Sequence, residues 1–194
     1  MITGFEPFGG EAINPSWEGV RRLPDVVSGC CLHKLCLPVA FEEAASMVMK
    51  YAEQVCPDVI LCIGQAGGRK GISVEMVGIN HRHASMPDNR GYEPKDQVII
   101  KEGNDAYFST IPVRKIADAI KNADIPADVS YSAGAYVCND VLYTLLYNYK
   151  NTKTKVGFIH IPYSEEQQKS PSMKLEKIIN SLQIAISTLG ESDP

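Results

Sequence analysis

The chain of 194 residues lacks several features that would fix its class at once. It has no apolar run of about 18 residues, the length a membrane-spanning helix needs. Its start, Met1-Ile2-Thr3-Gly4-Phe5, has no basic flank followed by an apolar stretch, so no secretory signal is expected. It has no basic excess: 19 Lys and Arg stand against 23 Asp and Glu, a formal net charge of -4. That argues against a nucleic-acid partner, which calls for a basic patch or stripe. Six cysteines are present, but no pair has the C-x-x-C spacing of a zinc or redox site. A chain this long without an export signal needs no disulfide staples, so reduced, mostly buried thiols in a cytoplasmic protein are expected. His81 and His83 are close in sequence but lack acidic or thiol partners at ligand spacing, so no metal is expected. The hydrophobic fraction of 44% and charged fraction of 22% exclude a disordered or collagen-like chain.

What is present is an alternation of strand and helix signals. Asp58 to Gly64 reads as a buried strand, apolar and ended by glycine. Cys30 to Val39, Ser73 to Asn80, Asp128 to Ala133 and Lys155 to Ile161 read as further strands. Phe41 to Val55, Pro112 to Asn122 and Ser172 to Leu189 read as helices with one apolar face, and Val137 to Tyr149 reads as a helix. Strands alternating with helices imply an α/β fold, with a mainly parallel sheet covered on both faces. One domain over 1–194 is expected. The stretch from His81 to Thr110 is irregular and long enough to be a functional loop or an arm; a decorated surface loop is the plainer alternative.

Three residues carry chemistry. Cys138 opens a helix, where the dipole and free N–H groups favour thiolate and could hold an oxyanion. A small buried residue at a strand-to-helix turn is the alternative. His160 ends an apolar strand, and ligand sites in parallel sheets lie at the carboxyl ends of strands. A lone histidine is also often structural. Glu75 interrupts an otherwise apolar strand on the opposite face from Val74, and if buried it needs a partner. Histidine is the natural one; exposure on an edge strand is the alternative. No spacing rule makes the three converge. The glycine-rich segments Gly4 to Gly10 and Gly64 to Arg69 lack the pattern of a phosphate or dinucleotide loop.

The motifs themselves go further. Thr3-Gly4-Phe5-Glu6-Pro7-Phe8-Gly9-Gly10 with Asn14-Pro15 resembles the N-terminal signature of the pyroglutamyl peptidase I (pyrrolidone-carboxylate peptidase) family. The resemblance continues through Leu37-Pro38-Val39, Gly64 to Arg69, Ile72 to Asn80, Met86 to Asn89, Ala106 to Pro112, Ser132-Ala133-Gly134, Val137-Cys138-Asn139, Phe158 to Tyr163 and Pro171-Ser172-Met173. It implies a three-layer α/β/α domain with an open twisted sheet, of phosphorylase/hydrolase-like type. It also implies a cytosolic thiol peptidase that removes an N-terminal pyroglutamyl residue from peptides. Such a protein needs no metal or cofactor and assembles as a homodimer or homotetramer.

The family's nucleophile falls on Cys138, its base on His160 and its orienting carboxylate on Glu75. Phe5 and Phe8 match the aromatics that sandwich the lactam ring. Asn14, Gln65, Tyr136 and Val137 match positions at or near the substrate. Two positions depart from the pattern: Met76 and Ser85 stand where the family usually has arginine. Arg82, three residues before Ser85, is the expected partial substitute, and reduced activity is the expected consequence. The alternatives are a weakly active or inactive pyroglutamyl-peptide-binding relative of the same fold, or another small-molecule enzyme such as a nucleoside phosphorylase. The missing phosphate-binding set argues against the latter.

Overall fold

The computed structural model describes residues 1–191. In chain order they form β1 (Ile2–Phe5), α1 (Pro15–Arg22), β2 (Val26–Val27), β3 (Cys30–Cys31), β4 (Lys34–Leu37), α2 (Glu43–Val55), β5 (Val59–Gln65), β6 (Ile72–Glu75), β7 (Val77–Ile79), β8 (Ala106–Phe108), α3 (Val113–Asn122), β9 (Ala127–Ser130), α4 (Val137–Tyr149), β10 (Lys155–Ile161), β11 (Tyr163–Ser164), a 3-10 turn at Glu165–Gln167, β12 (Ser172–Met173) and α5 (Leu175–Gly190).

Six strands make the central sheet in the order β4-β1-β5-β10-β6-β9. β4, β1, β5 and β10 run parallel, β6 is antiparallel to β10, and β9 is parallel to β6. The alternation along each strand sorts its side chains into two cores. Ile2, Leu61, Ile63, Val74, Ile159 and Ile161 pack with α1, α3 and α5. Phe5, Ile60, Cys62, Val156 and Phe158 pack with α2 and α4. The sheet is thus covered on both faces, as expected, and every second residue of β6 and β10 faces α4. Glu75 and His160 fall on that set of positions.

Several expected elements are divided. The stretch Ser73 to Asn80 is not one strand. It breaks at Met76, whose N–H donates to Ser130 and whose carbonyl accepts from Ser109. β6 stays in the central sheet, while β7 leaves it to pair antiparallel with β8. β6 lies between β10 and β9, so Glu75 is not on an edge; it is fully buried. Cys30 to Val39 divides likewise. β3 forms a hairpin with β2, and only β4 reaches the central sheet. α3 starts at Val113, with Pro112 as its N-cap, and α5 starts at Leu175, because Ser172 and Met173 pair with β11.

The stretch from 81 to 110 is built, not loose. Asn80 donates to the carbonyls of Ile100 and Gly103 and accepts from the N–H groups of Ile99 and Ile100. Asp88 accepts from the N–H groups of Phe41, Arg90 and Tyr92. Asn139 of α4, fully buried, bonds Ile79 through both ends of its amide and donates to the carbonyl of His81. The arm is therefore fastened to the helix that begins beside Cys138.

Candidate active site

The site grows from the carboxyl ends of β5 and β10 and the N-terminus of α4. His160 pairs in register with Gly64 on β5. A Cβ placed on Gly64 would stand 2.9 Å from Cys138 Sγ and 2.8 Å from Phe158. Only glycine lets the thiol settle against the strand that carries the neighbour of His160. Nothing in the local sequence separates this glycine from the others of its motif.

His160 Nδ1 lies 2.7 Å from Glu75 Oε1, and both side chains are buried. The same carboxylate oxygen accepts from the Arg69 guanidinium at 2.6 Å. Arg69 also donates to the carbonyl of Ser132 at 3.0 Å. It reaches in from the glycine-rich loop between β5 and β6. Sequence reasoning missed it; its only signal was an arginine directly after Gly67-Gly68. It brings a guanidinium to the buried Glu75–His160 pair.

Arg82 does not do this. It is buried, paired with Asp140 at 2.7 Å and with Glu42, and lies over the Phe41 ring at 5.9 Å. Asp140 and Glu42 attract it more strongly than an exposed position beside Ser85, so the expected substitution by Arg82 is not what the fold provides.

The charges follow from burial and partners. Burial is the largest influence on Glu75 and pushes its pKa up. The hydrogen bond and charge of His160, with Ser130 and Arg69, outweigh it and hold Glu75 below the ordinary carboxylate value. Burial also dominates at His160 and lowers it, against the upward pull of Glu75; Arg69 lowers it further. Burial pushes the Cys138 thiol up to about 12, with Glu75 and Cys62 acting the same way and Arg69 opposing. The helix start therefore does not yield a standing thiolate, contrary to the expectation from its position.

α4 begins with no side chain capping it. The first intrahelical bond goes from the Asp140 N–H to the Tyr136 carbonyl, so the amides just before it have no intrahelical acceptor. Cys138 is partly exposed to a cavity of about 40 Å³ lined by Phe5, Phe8, Asn14, Val39, Gln65, Tyr136 and Val137. All six residues singled out for the substrate thus surround the thiol. Asn14 has little capacity left for a ligand: its amide accepts from Ser16 and donates to the Glu6 carbonyl, which fixes the loop carrying Phe8. Gln65 Oε1 accepts from Gln167, a residue not foreseen, at 3.0 Å. A larger cavity of about 480 Å³ lies around Met1, Cys30, Cys31 and Pro57, at the other end of the sheet from the triad.

The family model described as pyroglutamyl peptidase matches residues 1–192. The chain belongs to the pyroglutamyl peptidase family. It is 47% identical over 193 residues to the pyrrolidone-carboxylate peptidase of Thermococcus onnurineus, covering 97% of this chain and 96% of that one. It is 47% identical over 194 residues to that of Yersinia pestis, covering 96% and 90%. Among solved structures, the pyroglutamyl peptidase I of Bacillus amyloliquefaciens superposes with a TM-score of 0.94 at 41% identity, over 97% of this chain and 92% of the other. The pyrrolidone carboxyl peptidase of Thermococcus litoralis gives 0.93 at 35%, over 97% and 91%.

Proposed function

We propose that the protein is a cysteine-type omega peptidase that hydrolyses the amide after an N-terminal pyroglutamyl residue, with Cys138 as nucleophile, His160 as acid and base, and Glu75 as the carboxylate that positions His160. The observation that carries this reading is the placement of Cys138 in the cavity between Phe5, Phe8 and the uncapped start of α4.

With Nδ1 donating to Glu75, the lone pair of His160 is on Nε2. Thiol and imidazole both rest neutral. As sulfur bonds to the pyroglutamyl carbonyl carbon, the thiol proton passes to Nε2, and the imidazolium forms beside a carboxylate already ionised. The backbone amides at the start of α4 receive the oxyanion. Collapse breaks the C–N bond, and His160 returns the proton to the leaving amine. Water then attacks the thioester with His160 as base, which releases pyroglutamate and the free thiol.

The lactam ring stacks between Phe5 and Phe8, with Gln65 and the backbone around Tyr136 and Val137 pairing its N–H and C=O. Proline lacks the lactam carbonyl and leaves those groups unpaired. The family match over residues 1–192 supports one peptidase domain carrying the arm. Free cysteines suit the reducing cytoplasm. The exposed Phe108 and Val98 offer apolar surface that a homodimer or homotetramer would bury.

The test is release of a fluorophore from a pyroglutamyl amide, with the prolyl amide as control. Turnover of the first alone, abolished in Cys138→Ala, supports the reading; equal turnover in Cys138→Ala would overturn it.

A further inference from the structure

Away from the triad, three metal-ligating side chains converge on the arm. His81 and His83 flank Arg82, whose backbone pairs with Gln97 in an isolated antiparallel bridge, at 2.8 and 3.0 Å. Residues two apart in extended chain project from one face, so the two imidazoles share a side of the bridge. Asp96, next to Gln97 on the opposite segment, meets them there. Its Oδ1 lies 3.2 Å from His81 Nε2 and 2.9 Å from His83 Nδ1. The three ligand atoms all lie within 4.8 Å of one another. Asp96 follows His83 by thirteen residues, so no short spacing rule reveals the group; the bridge creates it.

The spacing fits ligands around a single ion. Zinc holds imidazole nitrogen and carboxylate oxygen at about 2.0–2.2 Å. Ligands at that radius stand roughly 3.3 Å apart in a tetrahedron and roughly 3.0 Å apart at adjacent corners of an octahedron. The two distances from Asp96 Oδ1 fall near these values, and without an ion they are filled by a hydrogen bond to His83 and a contact to His81. Two imidazoles and one carboxylate suit zinc, cobalt or nickel, whereas calcium and magnesium take oxygen shells. Side-chain exposures of 42%, 42% and 73% leave one side open to water ligands.

The ligand segment is also held in place from behind. The His83 N–H donates to the Ala135 carbonyl at 2.8 Å, the His81 carbonyl accepts from Asn139 at 2.9 Å, and Arg82 pairs with Asp140. The backbone of both histidines is thus fixed against the residues that bracket Cys138, while Asp96 comes from the far side of the arm.

We propose that His81 Nε2, His83 Nδ1 and Asp96 Oδ1 bind one divalent first-row cation of the zinc class, with water completing its shell, as a clamp that closes the arm and takes no part in the peptidase reaction. The test uses the full chain, reduced and stripped with chelator, as wild type and as Cys138→Ala. Zinc is titrated by calorimetry and cobalt by visible absorption. The expected result is one ion per chain, a cobalt spectrum of nitrogen and oxygen ligation without a thiolate charge-transfer band, and a melting temperature that zinc raises by several degrees. His81→Ala, His83→Ala and Asp96→Ala should each weaken binding at least about tenfold. Their metal-free melting temperatures should stay near the parent's, since all three side chains reach solvent and the anchoring contacts of His81 and His83 are made by their backbones. Unchanged affinity in these variants, a thiolate band in the cobalt complex, or a zinc-dependent rise that persists in a His81→Ala/His83→Ala double variant would overturn the proposal.

Discussion

At His160 two charges compete, and their competition is measurable. Glu75 raises the imidazole pKa, while Arg69, bound to the same carboxylate oxygen, lowers it. Loss of the base by protonation sets the acid limb of the kcat/KM profile. Because burial holds His160 below the usual imidazole value, that limb should lie below about 6.5. Glu75→Gln should move it further down and cut turnover, since an amide cannot stabilise the imidazolium with charge. Arg69→Met should move it up, because the opposing charge is gone. Opposite shifts in the two variants mark Glu75 and Arg69 as positioning residues acting through His160; a common direction, or none, would show that their role is only to hold the fold. Stability follows the same charges. Glu75 is depressed, so its contribution is present above the unfolded carboxylate value and is lost as pH falls through the folded one. His160, lowered by burial, also penalises the folded state as pH drops below the unfolded imidazole value. Both act in one direction, so urea midpoints should fall steadily from pH 7 to pH 4.

At the scale of elements, β5, β10 and α4 meet at Gly64. Any side chain there must displace Cys138 or Phe158. Gly64→Ala should therefore cost about a hundredfold in turnover, the usual penalty for misplacing a reacting atom by about an ångström, and about 1–3 kcal/mol of stability from overpacking. Near-normal kinetics with a normal melt would show that the thiol has room to retreat. The same elements show what a sequence discloses. α4 and β10 were legible to the residue, because their apolar runs differ in length, thirteen residues against seven, and Gly134 and Pro162 mark where the helix can start and the strand must stop. The break at Met76 was not, because the alternation from Ser73 runs on through Val77 into β7 and only the sheet partner changes. Cys138, His160 and Glu75 were each legible as local oddities, but their convergence depends on the strand order β5-β10-β6, which no spacing encodes. Arg69 stayed hidden for the same reason: its target is set by where the loop between β5 and β6 folds back. The resting state of the Cys138 thiol is likewise set by the assembled layers around it, whose burial raises its pKa.

At the scale of the whole molecule, Arg82 joins three parts that are remote in sequence. It lies in the arm, pairs with Asp140 of α4 and reaches Glu42 at the N-cap of α2. Asp140 and the Arg82 side chain are almost entirely buried, while Glu42 is largely exposed. A pair of this kind adds little over an apolar replacement of both partners, but removal of one partner leaves the other charge buried alone. Arg82→Met should therefore destabilise the protein by about 3–5 kcal/mol. Burial already raises the Asp140 pKa against the downward pull of Arg82. Without the guanidinium it rises further, and Asp140 escapes part of the penalty by binding a proton. The deficit should thus be larger at pH 8 than at pH 5. Arg82→Met combined with Asp140→Asn should recover much of the loss, since a neutral amide needs no counter-charge. Urea melts of the two single variants and the double variant at both pH values measure this coupling directly. A deficit that is independent of pH and additive in the double variant would mean that Arg82 contributes through its packing on Phe41 rather than through charge.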